Sequence, residues 1–271
     1  MRYDEGMTSE DDALESLGQS GLLEVLKWAV RVAFARTGQD YDEDAGHDQM
    51  VVGVLNFEYI RDLLDRATAN GRYALPDGAS NLGEDILGKG ITPEALRTMP
   101  SILPGRISRS DYRCSPGWAA DGYRVLLQSF KYGEVDHINW GQKSDAKRRV
   151  ASQSFVTQDV LFSIEEFGLK RIVGIPDGDD FEGVTLVAAH SYDPITDKFE
   201  LYIGQSKNSE FRGDSCWHWR RQLLDGGTSS ELTGRGLPPV HPGNAPSMQV
   251  EEIAVRLKKA QTGEGAATSN G

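Results

Sequence analysis

Two apolar runs joined by a short polar turn constrain the fold of this chain more than any other feature. The runs are Val184–His190 and Phe199–Gln205, and the turn DPITD lies between them. Because so short a connection leaves no room for a crossover helix, the two runs are predicted to form an antiparallel β-hairpin. A third apolar run, Lys170–Ile175, is followed by the turn residues Pro176-Asp177-Gly178 and indicates one more strand.

The first half of the chain shows helical spacing instead. Leu22, Leu26 and Val30 recur every four residues, which predicts an amphipathic helix from about Ser16 to Arg36. The run MVVGVLNFEYIRDLLDRATANG predicts a second helix that ends at Asn70-Gly71. The predicted class is therefore α+β, with a helical N-terminal half packed with a C-terminal antiparallel, hairpin-centred sheet.

The composition of successive segments predicts one folded domain with two disordered ends. Residues 1–15 are acidic and 261–271 lack large apolar residues, so both are expected to be disordered, while 16–260 forms a single α+β domain. Within it we expect a helical part at 16–73, an irregular loop region at 74–118, a mixed part at 119–225 with the hairpin at 184–205, a loop at 226–247 and a helix at 248–260. Shorter elements are predicted as a helix at Pro93–Met99, a strand or short helix at Gly122–Phe130, and helices at Ser154–Phe167 and Cys216–Leu224.

Net charge and cysteine content limit the classes of function. The 29 basic and 41 acidic residues give a net charge of −12, which disfavours general binding to nucleic acid but leaves room for a locally basic groove. Two cysteines are too few for a disulfide framework or a multi-cysteine zinc site. No apolar window is long enough for a membrane span, and the N-terminus is acidic, so we expect a cytoplasmic protein with no membrane partner.

Acidic residues before the hairpin and polar residues at the end of its second strand are candidates for a catalytic site. Asp180 and Glu182 precede the first strand, and Gln205-Ser206-Lys207 ends the second. This pattern resembles the PD-(D/E)xK nuclease superfamily in its QxK variant. The resemblance implies that Asp180 and Glu182 hold Mg²⁺, and that Gln205 and Lys207 are catalytic, with the lysine positioning water or stabilising the transition state.

A second resemblance covers nearly the same residues. Tyr202-Ile203-Gly204, followed by Arg212, is similar to the second motif of GIY-YIG nucleases, although the tyrosine of the first motif is absent. This resemblance implies that Tyr202 activates water, that Arg212 stabilises phosphate charge, and that Glu251 or Glu252 holds a metal ion.

Basic and aromatic residues supply candidate ligand contacts. Lys147, Arg148 and Arg149 are expected on one basic surface, and Trp217, Arg220 and Arg221 on a short helix, where they would contact phosphate or another ligand. Ser144-Asp145-Ala146-Lys147 also fits an SxxK pattern, but no second element such as SDN accompanies it, which favours the basic surface.

Two hypotheses of function follow from the sequence. The first is a magnesium-dependent nuclease, a hydrolase that binds DNA or RNA through a local basic groove. The second is a non-enzymatic accessory protein whose Trp217–Arg221 segment binds a protein or ligand partner.

Overall fold

The N-terminal half of the chain is helical, and one further helix precedes the central hairpin. The computed structural model describes residues 10–76, 79, 82–152, 180–208 and 215–224. Its α-helices are α1 Glu10–Gln19, α2 Leu22–Asp40, α3 Gln49–Ala67, α4 Glu84–Leu87, α5 Pro93–Arg97 and α6 Asp145–Ala151. Short 3-10 helices lie at Gly71–Tyr73, Val135–His137 and Trp140–Gln142.

The strands of the described residues form one mixed sheet in chain order. They are β1 Ser108–Arg109, β2 Gly117–Ala120, β3 Tyr123–Ser129, β4 Val184–Asp193, β5 Lys198–Ser206 and β6 Trp217–Leu224. Neighbouring strands are antiparallel, except that β3 and β4 run parallel. The α+β class is therefore confirmed.

Different parts of the chain cover the two faces of the sheet. Helices α2 and α3 pack on one face, here called the helix face, against residues such as Val125, Leu186 and Ile203. Side chains alternate along a strand, so the intervening residues, such as Leu126 and Val187, point to the opposite face. The segment from Val135 to Ala151 packs on that opposite face, so that α6 and the N-terminal helices lie on opposite sides of the sheet.

The predicted hairpin is confirmed as β4 and β5. Asp193 pairs with Lys198, and Val187, six positions before Asp193, pairs with Gly204. The Asp193 carboxylate accepts hydrogen bonds from the Ile195 amide at 3.1 Å and from the Thr196 hydroxyl at 2.6 Å, which holds the tight turn together.

The short helix α5 is confirmed as well. The Thr92 hydroxyl accepts a hydrogen bond from the Ala95 amide at 3.1 Å, and Pro93 occupies the first turn. The run 49–67 is also helical, and the Asp48 carboxylate caps it.

The prediction of one helix over Ser16–Arg36 is wrong, because α1 and α2 are separate. Gly21 lies between them with a φ of 83°, a left-handed conformation that glycine adopts at little cost. Helix α1 begins at Glu10, inside the segment 1–15 that was expected to be disordered, because Ala13 and Leu17 are fully buried.

The prediction of a helix at Cys216–Leu224 is also wrong, because residues 217–224 form the edge strand β6. Gln205 pairs with Trp219, and an irregularity follows before Ser206 pairs with Trp217. The backbone groups that a helix would pair locally are paired with β5 instead, and aromatic residues suit that environment. The arginines of this edge discourage pairing with a further strand.

Several predictions fall outside the described residues. They are the helix at Ser154–Phe167, the strand at Lys170–Ile175, the loop at 226–247, the helix at 248–260 and the tail at 261–271. All the described residues belong to one compact unit. Among the described helices, none combines the length and the apolar character that crossing a membrane requires.

Candidate active site

The N-terminus of α6 lies against a tight turn that precedes β2. Tyr112 and Ser115 exchange backbone hydrogen bonds of 2.9 and 2.8 Å. The two residues between them, Arg113 and Cys114, have positive φ angles of 44° and 62°. Positive φ at both central residues is typical of a tight two-residue turn. The turn directs the chain so that Ser115 lies beneath α6.

Three polar side chains meet at this point, and we call them the Ser–Ser–Lys cluster: Ser144, Ser115 and Lys147. The Lys147 ammonium donates a hydrogen bond to Ser115 Oγ at 3.0 Å. Ser115 Oγ is in turn 3.5 Å from Ser144 Oγ, and either hydroxyl can be the donor. Ser144 is exposed, whereas Ser115 and Lys147 each retain 6% of their surface. The cluster therefore runs from the surface into the interior.

The local sequence explains how α6 buries a lysine. Ala146, Lys147, Val150 and Ala151 are its buried residues and share one side of the helix. Ser144 caps the helix, and its hydroxyl oxygen accepts from the Lys147 amide. The Ser144 proton is thereby left available for Ser115.

Burial changes the chemistry of the lysine. Desolvation lowers the pKa of Lys147 to about 8 from the ordinary value of 10.5, because the charged form loses its contact with water. Among the described residues no carboxylate forms an ion pair with Lys147, so none of them compensates the charged ammonium group for its lost hydration. With a pKa of about 8, roughly a tenth of the lysine is neutral at pH 7 and able to accept a proton.

The surface beside Ser144 is positively charged. The Asp145 carboxylate accepts from Arg113 at 2.9 Å, from Arg149 at 3.0 Å and also from Arg148. Hydrogen bonds from Arg149 and Arg148 lower the pKa of Asp145, which keeps it ionised. Even without Arg113, the two guanidinium groups of Arg148 and Arg149 around one carboxylate leave an excess of positive charge next to the exposed serine.

The residues of the proposed magnesium site lie at the end of β4 and β5 that is opposite the hairpin turn. Asp180 and Glu182 are exposed and precede the first residue of β4. Since Val187 pairs with Gly204, continued pairing would place Val184 opposite Lys207. Asp180 lies four residues before Val184, which is up to about 13 Å of extended chain. In the part of the chain that is described, no three His, Cys, Asp or Glu side chains form a group that could hold a metal ion.

The QxK residues also occupy unlike environments. Gln205 is 1% exposed, and its amide oxygen accepts from the Trp219 indole at 3.0 Å. Lys207 follows the end of β5 and is partly exposed. An ion bound at the Gln205 oxygen would compete with this indole for the same buried atom.

The predicted phosphate contacts are spread over the molecule. Lys147 is buried, because it belongs to the packed side of α6, while Arg148 and Arg149 remain at the surface. Trp217 is buried against Trp140, 5.2 Å away and edge-on. Arg212 lies outside the described residues.

The two arginines of β6 bind separate partners. Arg220 forms two hydrogen bonds with Asp136, of 2.8 and 2.7 Å, and lies 4.9 Å above the ring of Tyr202. Arg221 donates to Glu10 of α1 at 2.6 Å. They do not form one binding helix with Trp217, since this segment is a strand.

No motif in the sequence points to Ser115. The SxxK pattern contains Ser144 and Lys147, but Ser115 is distant in the chain and joins them only through the fold. The buried side of α6 was the one available signal, because Lys147 shares it with Val150 and Ala151. Comparisons with protein-family models, with curated proteins and with solved structures find no match to this chain.

Proposed function

We propose that the chain is a serine hydrolase that cleaves an ester or amide bond, with Ser144 as nucleophile, Ser115 as proton relay and Lys147 as general base. The observation that carries this proposal is the 3.0 Å contact between Lys147 Nζ and Ser115 Oγ. A lysine whose pKa burial lowers to about 8 can serve as a base near neutral pH.

The proton transfers balance along the cluster. Neutral Lys147 takes the proton of Ser115, and Ser115 takes the proton of Ser144 as Ser144 Oγ bonds to the substrate carbonyl carbon. When the bond to the leaving group breaks, the proton returns through Ser115 to that group. A water molecule then repeats these steps on the acyl-serine, releases the acid and restores the Ser144 hydroxyl.

The positive surface beside the nucleophile supports the same role. Arg113, Arg148 and Arg149 surround Asp145, so the residue adjacent to Ser144 does not present a free negative charge to the reacting carbonyl. A carbonyl oxygen that becomes negative during attack is favoured in such surroundings.

A fluorophosphonate probe tests the proposal, because it reacts covalently with activated serines. We expect one adduct by intact-mass spectrometry, mapped to Ser144 and absent in Ser144→Ala. Lys147→Met is expected to slow labelling at least about tenfold, since it removes the base. The matched controls are Ser152→Ala, an exposed serine after the same helix, and Lys143→Met, and both should label like the wild type.

Two results would contradict the proposal. One is the absence of any adduct on the folded protein, and the other is an adduct whose rate is the same in Lys147→Met as in the wild type. The magnesium-dependent nuclease and the accessory protein stay predictions from the sequence, and neither requires the Ser–Ser–Lys cluster.

A further inference from the structure

A groove lies between α2 and the segment Gly90–Pro100, on the side of the N-terminal helices. Two hydrogen bonds hold its walls in place: the Trp28 indole donates to the Ala95 carbonyl at 3.1 Å, and the Arg36 guanidinium donates to the Gly90 carbonyl at 3.0 Å. The cavity between these two hydrogen bonds has a volume of about 430 Å³. This volume lies within the range of sites that bind small molecules.

The middle of the groove is apolar. Trp28, Val32 and Ala35 line it from α2, where they share one side of the helix, and Ile91 and Ala95 line it from the other wall. Trp28 and Ala95 are buried, and Val32 and Ile91 pack on the core, so these walls are anchored. An apolar ligand body would replace water here without disturbing the fold.

Within the described part of the chain, the charged side chains around the groove are paired, with one exception. The ion pairs are Glu24 with Lys27 at 3.3 Å, Asp40 with Arg36 at 3.7 Å, and Glu94 with Arg97. Arg31 also lines the groove and is exposed, and among the described residues it forms no ion pair or side-chain hydrogen bond. As far as the described residues show, the groove thus offers one uncompensated positive charge beside an apolar interior.

We infer that this groove binds a small amphipathic monocarboxylate. The apolar body of the ligand lies on Val32, Ala35 and Ile91, and the carboxylate accepts charge-assisted hydrogen bonds from Arg31. A cationic or neutral ligand of the same shape lacks this interaction. The inference is independent of the Ser–Ser–Lys cluster, because the groove is formed by different residues.

Isothermal titration calorimetry of the full chain with octanoate, at up to about 1 mM, tests this inference. We expect saturable binding of octanoate and none of octylammonium. Arg31→Gln should raise the Kd about tenfold or more, the value of one charge-assisted contact. Arg106→Gln removes the same charge outside the groove and should leave the Kd unchanged.

A second variant separates the groove from a general effect of charge. Ala35→Trp fills the cavity without changing the charge, so it should abolish octanoate binding, while circular dichroism confirms the fold. The inference is overturned if octanoate does not bind, if octylammonium binds equally well, or if Arg31→Gln and Arg106→Gln have the same effect.

Discussion

Replacing Lys147 with methionine should stabilise the protein while it removes the proposed base. Methionine keeps the length of the side chain and fits an apolar environment, but it carries no charge. Lys147 has a pKa of about 8 in the folded chain against an ordinary value of 10.5, a difference that corresponds to about 3 kcal/mol of stability at pH 7. The lost hydrogen bond to Ser115 offsets about 1 kcal/mol of this gain.

We therefore expect Lys147→Met to raise the free energy of unfolding by about 2 kcal/mol at pH 7. The difference in stability between the variant and the wild type depends on pH. Below about pH 8 the lysine is charged in both states, so the wild type bears the full cost of desolvation. Between about pH 8 and 10.5 the unfolded chain holds more protons than the folded chain, so the wild type gains stability as pH rises.

Urea unfolding of both proteins at pH 7 and pH 10.5 measures this difference. The advantage of the variant should fall at the higher pH, where the lysine is neutral in the folded chain and half neutral when unfolded. Lys143→Met is the control and should change stability by less than about 0.5 kcal/mol. A variant that is less stable at pH 7, or a difference that does not change with pH, would refute the reasoning.

Two further predictions use other residues of the sheet. Burial, together with the charge of Lys147, lowers the pKa of His190 to about 4, so stability should fall by up to about 3 kcal/mol as pH decreases from 6.5 to 4; urea unfolding of His190→Leu should lack this component of the acid sensitivity. If the magnesium-dependent nuclease is correct, Asp180→Ala and Lys207→Ala should each abolish Mg²⁺-dependent cleavage of a labelled DNA or RNA without unfolding the chain, and cleavage that persists in both would refute that site.

The sequence predicts the elements that depend on local interactions. The hairpin of β4 and β5 follows from two apolar runs and the short turn between them, and the Asp193 carboxylate accepts both side-chain hydrogen bonds that hold this turn. Thr92 and Pro93 specify the start of α5 in the same way. Capping and turn residues act over three or four positions, so one sequence contains all the information they need.

Elements that depend on distant partners are not predictable in this way. The segment 217–224 is a strand because β5 offers it backbone hydrogen bonds, while its own residues also suit a short helix. The parallel pairing of β3 with β4 joins residues such as Tyr123 and Val184, which are far apart in the chain. The Ser–Ser–Lys cluster is missed for the same reason, because only tertiary structure brings Ser115 to Lys147.

The salt dependence of fluorophosphonate labelling distinguishes burial from surface charge as the cause of the low pKa of Lys147. The chain carries a net charge of −12, and a field of that sign raises the pKa of a lysine. The arginines around Asp145 act in the opposite direction, and salt screens both effects. Desolvation is insensitive to salt, and it is the cause that lowers the pKa of Lys147. The rate of fluorophosphonate labelling should therefore rise with pH around a midpoint near 8, and that midpoint should stay in place between about 0.05 and about 0.5 M salt. A midpoint that moves by a full pH unit would assign the pKa to surface charges and would remove burial as the reason for proposing Lys147 as the base.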